Sequence, residues 1–331
     1  MMNKQTRRFC FANAILLVLT LSFGKQSFAQ SSEANFKQGE AIEIQSQIQS
    51  DRQRIATTLP VTYLLTQALI QETNLQVDYL PTKRYPVNRI GYWLQKKLPQ
   101  KLEQLPQYSA LITVASVWPE LDVYPTLRQS NIRIVPIDAA FQLKPGGARI
   151  NQRTFSLKQG DKESDYFWLN PTNLKVMNNI IAEDLIRLWP QYRHSILRNQ
   201  GHNEKHISLF ALDLDDALWQ QGWEAICSQQ PELNPLLYAL SLPVLEFTKE
   251  SSGSKESSGS KKRDREGDKN SENIGDNQSE NCLWVTDQNV KNQDSKEKAI
   301  WVLNSLKKMT TSNFQQWLEE NLVSLKSSSL T

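Results

Sequence analysis

The chain has 331 residues, 39% hydrophobic and 22% charged, enough for two ordinary domains or one large one with a globular core. Its formal charge of +3 comes from the leader-like start: without Lys4, Arg7, Arg8 and Lys25, Lys+Arg falls from 38 to 34 against 35 Asp+Glu, about −1. No Lys/Arg stripe interleaved with aromatics stands outside one low-complexity segment, so nucleic acid is not the expected partner.

In chain order, residues 1–29 read as an export signal, with a basic start from Lys4 to Arg8, an apolar core from Phe9 to Phe23 and a small-x-small site at Ser27-Phe28-Ala29. Cleavage is expected near Ala29. The apolar core is shorter than the about 20 residues that span a bilayer, and Cys10 lies at its start rather than after it, so no lipid anchor is placed there. The expected destination is the periplasm. Residues 30–53, rich in Gln, Ser and Glu, read as a flexible N-terminal arm.

Residues 54–169 alternate strand-like and helix-like pieces, and form the expected N-terminal α/β lobe. Strands are predicted over 54–58, 75–80, 110–114 and 132–137. Helices are predicted after Pro60, from Val87 to Leu105 with a break at Pro99, and over about 120–129. Alternation at this spacing implies a parallel sheet covered by helices, whose ligands sit beyond the carboxyl ends of the strands. A polar loop over 142–164 follows, and it contains no His. The aromatic run Tyr166-Phe167-Trp168-Leu169 reads as a strand. Asn170-Pro171 then reads as a helix start, Asn as the cap and Pro at the first helical position. Leu174, Met177, Ile181, Leu185 and Leu188 recur on one helix face.

A long helix is predicted from Pro190 to about Cys227, with Ile207, Phe210, Leu214, Leu218 and Trp223 inward. Together with the helix before it, it forms a connecting unit over 170–227. Residues 228–331 make the rest: an apolar stretch over 232–247, an insert over 249–281 expected to be disordered, a strand over 283–286 and two closing helices. The last of these carries Phe314, Trp317, Leu318, Leu322 and Leu325. The insert opens with Glu-Ser-Ser-Gly-Ser-Lys twice in tandem and holds one aliphatic residue, Ile274, too little to offset the entropy of ordering.

The residues Tyr166, Trp168, Leu169, Asn170 and Pro171 resemble the H-x-W-L-D-P motif, with its following helix, of the TroA-like substrate-binding proteins of zinc and manganese ABC transporters. Trp168, Leu169 and Pro171 match. Asn170 replaces the Asp, and Tyr166 stands where that group has a metal-ligating His. The resemblance implies a parallel-sheet lobe joined by a long backbone helix to a second lobe. By length, once the insert is discounted, that second lobe is expected to be reduced and mostly helical. It further implies a monomeric periplasmic receptor, not an enzyme, that serves an ABC permease in the inner membrane with zinc or manganese as the implied ligand. By family position, Arg84, Tyr85, Tyr166 and Trp168 would face one another across the ligand cleft, and Asp287 is a candidate for the late acidic position.

The chemistry at those positions departs from the family. The segment after the second strand, Leu80-Pro-Thr-Lys-Arg-Tyr85, carries two cations and no His, and cations repel a metal ion. An Arg with aromatic hydroxyls suits an anionic or planar organic ligand better. The alternative expectation is therefore a ligand-free or organic-ligand-binding descendant acting as a periplasmic interaction protein. His202 and His206, four apart on a helix, are the weak metal candidates, with two exposed histidines as the simpler reading. Cys227 and Cys282 flank the insert. After export, a disulfide between them would close that loop at its base, and two buried free thiols are the alternative. No G-x-S-x-G and no phosphate-cradling glycine loop is present, and Asp213, Asp215 and Asp216 read as a solvated helix face.

Overall fold

A computed structural model describes residues 53–151, 166–247, 281–288 and 299–328. The export signal, the arm up to residue 52, residues 152–165 of the polar loop and all but the last residue of the insert lie outside them. In the first lobe, β1 (Arg54–Thr57), β2 (Gln76–Tyr79), β3 (Tyr108–Thr113) and β4 (Val135–Asp138) form a parallel sheet in the order β2-β1-β3-β4. Central β1 pairs Ile55 with Val77 on one side and Ala110 on the other. Its inner residues are buried, as expected for a strand covered on both faces. The crossovers carry α1 (Pro60–Leu69), α2 (Val87–Lys96) and α3 (Tyr124–Ser130). Pro99 does break the α2 region: a 3₁₀ turn, Pro99–Gln104, follows instead of more helix.

The aromatic run is a 3₁₀ turn, Phe167–Leu169, where the sequence predicts a strand. No strand among the described residues pairs with it. Its backbone bonds are local, Leu169 N–H donating to the Tyr166 carbonyl and Asn170 N–H to that of Phe167. All three side chains are buried, so β propensity is overridden by a packing site that accepts three consecutive rings and chains. Asn170 then caps α4 (Pro171–Leu188), its Oδ1 accepting from Thr172 N at 2.9 Å and Asn173 N at 3.2 Å. Leu174, Met177, Ile181 and Leu185 are buried on its inner face.

The connecting rod is α5 (Arg193–Gln221), 29 residues and so about 44 Å long. It stops earlier than predicted because Gly222 adopts φ 76°, a left-handed cap that glycine takes without strain. Cys227, predicted at the helix end, therefore sits on a strand. β5 (Ala225–Ser228), β6 (Val244–Glu246), β7 (Cys282–Thr286) and β8 (Ile300–Val302) form a second parallel sheet, ordered β6-β5-β7-β8. Its topology repeats that of the first sheet. This corrects the expectation of a mostly helical second lobe. The strands are only 3–5 residues long; the sequence marks β7 as a strand, but β5, β6 and β8 are too short for a period of two to show. β8 also stands where the first of two closing helices was predicted. Among the described residues the lobe's α-helices are the single-turn α6 (Asn234–Leu237) and the closing α7 (Phe314–Lys326). A disulfide joins Cys227 and Cys282 on the neighbouring strands β5 and β7, with Cα atoms 5.9 Å apart.

The two lobes share one core. A continuous cluster of buried apolar side chains runs from Ile55 in β1 through Trp168 and α5 to Trp301, Trp317 and Leu325. α7 packs on both α5 and α1, so the closing helix ties the second lobe back to the first. Among the described residues no helix is long and apolar enough to cross a membrane.

Candidate functional site

Parallel strands place the loops after their carboxyl ends on one edge of a sheet, where helix N-termini also point. Here such loops from both sheets line a single cleft of about 580 Å³. Arg84, Pro86, Asn88 and Arg89 come from the segment after β2 and the start of α2. Gln230 and Glu232 come from the segment after β5, Asp287 and Gln288 from that after β7, and Lys307 and Lys308 from that after β8. Tyr166 completes the wall.

The floor is held by hydrogen bonds between lobes. Val87 N–H donates to the Lys307 carbonyl at 2.7 Å and Tyr166 N–H to the Glu232 carbonyl at 3.1 Å. The Trp168 indole N–H donates to the Ser305 carbonyl at 3.0 Å. Trp168 is fully buried and sits between rings: Tyr166 stacks on it at 5.0 Å between centroids, Trp118 lies near-parallel at 6.5 Å and Phe167 meets it edge-on at 5.2 Å. The stack gives Tyr166 a rigid backing.

Of the four cleft residues expected from the family position, Arg84 and Tyr166 line the same cleft. Trp168 lies beneath it as support. Tyr85 turns away, half-buried against the apolar core, at the end of a turn closed by its own N–H to the Thr82 carbonyl, with Arg84 inside that turn. His202 is exposed and His206 half-buried on α5, and neither lines the cleft. Asn203 beside them points inward and donates to Asn178 Oδ1 at 3.0 Å. Among the described residues, no three His, Cys, Asp or Glu side chains are grouped to hold a metal ion.

One wall of the cleft holds a carboxylate already engaged. The side chain of Asp287 is only 2% exposed. Its Oδ1 accepts from Lys307 Nζ at 2.6 Å and from Gln230 Nε2 at 2.8 Å, and its Oδ2 accepts from Ser305 Oγ at 2.9 Å. Gln230 Oε1 in turn accepts from Asp287 N–H at 2.9 Å and Thr286 Oγ1 at 2.8 Å. The network closes on itself, and the positive charge facing the carboxylate is an ammonium from the same chain. A divalent cation needs several N and O donors with free lone pairs. Here the acid's oxygens are taken, and Arg84 and Lys307 would repel the ion. The donor set does not fit a bare metal ion.

The first sheet carries a separate polar clamp. Asp138, at the end of β4, accepts from Ser116 N–H at 2.7 Å, Ser116 Oγ at 3.0 Å, and the N–H groups of Ala140 and Phe141. Burial pushes its carboxyl above the usual range, while those four donors pull it back. It orders the turns after β3 and β4 and does not line the cleft.

Sequence reasoning missed Arg89, Glu232, Gln230, Lys307 and Lys308. Arg89 carried a signal, since it lies in the first turn of a helix that follows a strand's carboxyl end. The others did not, because the short strands that place them were not recognised.

No protein-family model and no curated protein matches the chain. Solved structures do. The chain is similar to a zinc-bound ZnuA deletion mutant at 16% identity over 85% of this chain and 100% of that one, with a TM-score of 0.54. It is similar to the Zn(II)-bound ZnuA-like domain of Streptococcus pneumoniae AdcA at 17% identity, 84% and 99% coverage and a TM-score of 0.56. It is also similar to the substrate-binding protein FpvC of Pseudomonas aeruginosa in complex with Mn²⁺, at 15% identity, 84% and 97% coverage and a TM-score of 0.55. At these identities the likeness is one of fold, and the fold is that of the ZnuA-like substrate-binding proteins.

Proposed function

We propose that this is an exported solute receptor of the ABC-transporter type. It would hold its cargo in the cleft between the two sheets and present it to a permease in the inner membrane. The observation that supports this is the lining itself: loops beyond the carboxyl ends of two parallel sheets converge on one cavity, with Arg84 and Tyr166 on one side and Asp287 and Lys307 on the other. The solved neighbours have the same fold and are described as bound to zinc or manganese. In this chain such an ion would have to displace Lys307 from Asp287, so the cargo is read as something other than a bare divalent cation. A non-enzymatic role accords with those neighbours.

A second reading, a ligand-free interaction protein, is favoured by the bonds across the cleft floor and by the shared core, which resist opening. Metal titration of tag-free protein followed by thermal unfolding tests the first reading. A ligand that binds the folded state raises Tm by mass action. Zinc and manganese are expected to leave Tm unchanged. A saturable rise with either would restore metal as the cargo.

A further inference from the structure

We infer that the cleft recognises a small oxyanion carrying at least two negative charges, a polycarboxylate or a phosphate compound. This rests on the cleft being the ligand site. Outside the leader, basic and acidic residues balance across the chain, but the cleft wall holds four cationic side chains against two acidic ones. One of those acids, Asp287, is already neutralised by Lys307. Arg84, Arg89 and Lys308 have no carboxylate within ion-pair reach among the described residues.

A second observation points the same way. The ten-residue α2 begins in the cleft, with Asn88 and Arg89 in its first turn. That end has no side-chain cap and no acidic residue in the first turn, so no side chain of the helix offsets its positive pole where an anion would sit. Val87 N–H there donates across the lobes to the Lys307 carbonyl and Arg89 N–H to the Pro86 carbonyl, which leaves the Asn88 N–H without an acceptor among the described residues. Two guanidinium groups present flat pairs of donors that match carboxylate or phosphate oxygens. The cavity lies within the range of about 300–1,000 Å³ typical of small-molecule sites.

The test uses the mature, tag-free chain at fixed ionic strength. Citrate, inorganic pyrophosphate and zinc chloride are titrated separately, with binding read by calorimetry and thermal unfolding. Citrate or pyrophosphate should bind saturably and raise Tm by about 5 °C at a hundredfold excess over Kd. R84A and R89A should keep the unliganded Tm and each weaken binding by roughly 10-fold or more. Citrate alone binding would identify a carboxylate ligand, and pyrophosphate alone a phosphate ligand. Equal binding to both arginine variants, or a rise that never saturates, would overturn the inference. Binding of zinc but neither anion would overturn it while leaving the receptor reading in place. Binding of none of the three would count against both.

Discussion

Asp287 shows how one residue's surroundings decide what a site can hold. A carboxylate 2% exposed must be neutralised or shed its charge, and here Lys307, Gln230 and Ser305 all donate to it. Lys307→Met keeps the aliphatic stem and removes the cation. Because the lysine is about a third exposed and two other donors remain, the expected loss is about 1–3 kcal/mol, below that of a fully buried pair. Urea denaturation at neutral pH measures it, and the double variant Lys307→Met/Asp287→Asn should recover most of the loss. Undiminished stability in the single variant would mean that the lysine is incidental. At this scale the sequence was informative where chemistry is local. Asn170 caps and Pro171 starts a helix through contacts within three residues, so both were legible. Lys307 meets Asp287 through a turn after a three-residue strand, and nothing in the spacing announces it.

At the scale of elements, the long helices, the first lobe's strands and β7 were legible, and β5, β6 and β8 were not. α4 and α5 repeat their apolar residues over several turns, and a period of 3.6 is well sampled in 18 or 29 residues. β6 and β8, at three residues each, sample a period of two barely once. The aromatic 3₁₀ turn failed for another reason: its composition favours a strand, but its rings pack on one another and its own backbone bonds are those of a tight turn. The disulfide is an element-scale tie. It pins β5 to β7 and closes a segment with a sequence separation of 55, for which chain entropy gives about 4 kcal/mol. The Cys227→Ser/Cys282→Ser variant should lose about 2–4 kcal/mol in urea denaturation. Wild-type protein pretreated with a thiol reductant should match it. A loss below about 0.5 kcal/mol would mean that the packing of the second sheet alone holds these strands.

At the scale of the whole molecule, two sheets need not mean two independent units. The core runs unbroken from β1 to α7, α7 packs on the first lobe's α1, and three hydrogen bonds cross beneath the cleft. Scanning calorimetry of the chain from residue 30 onward should therefore show one cooperative transition, with calorimetric and van't Hoff enthalpies in agreement. Two resolved transitions would show that the lobes melt separately and that hinge opening is cheap.

By itself the sequence determined the α/β class, the strand-helix alternation of the first lobe, the Asn170-Pro171 start of α4 and the long rod. Each of these follows from residues close together in the chain, where periodicity and capping act. The resemblance to the TroA-like group also came from one such run. Only the tertiary structure decided that the second lobe repeats the first sheet's order, that Tyr85 faces the core while Arg84 faces the cleft, and that an ammonium from the chain answers Asp287. Those outcomes depend on which loops two separately built sheets bring to a common edge. That juxtaposition is made by long-range packing, and local pattern carries no record of it.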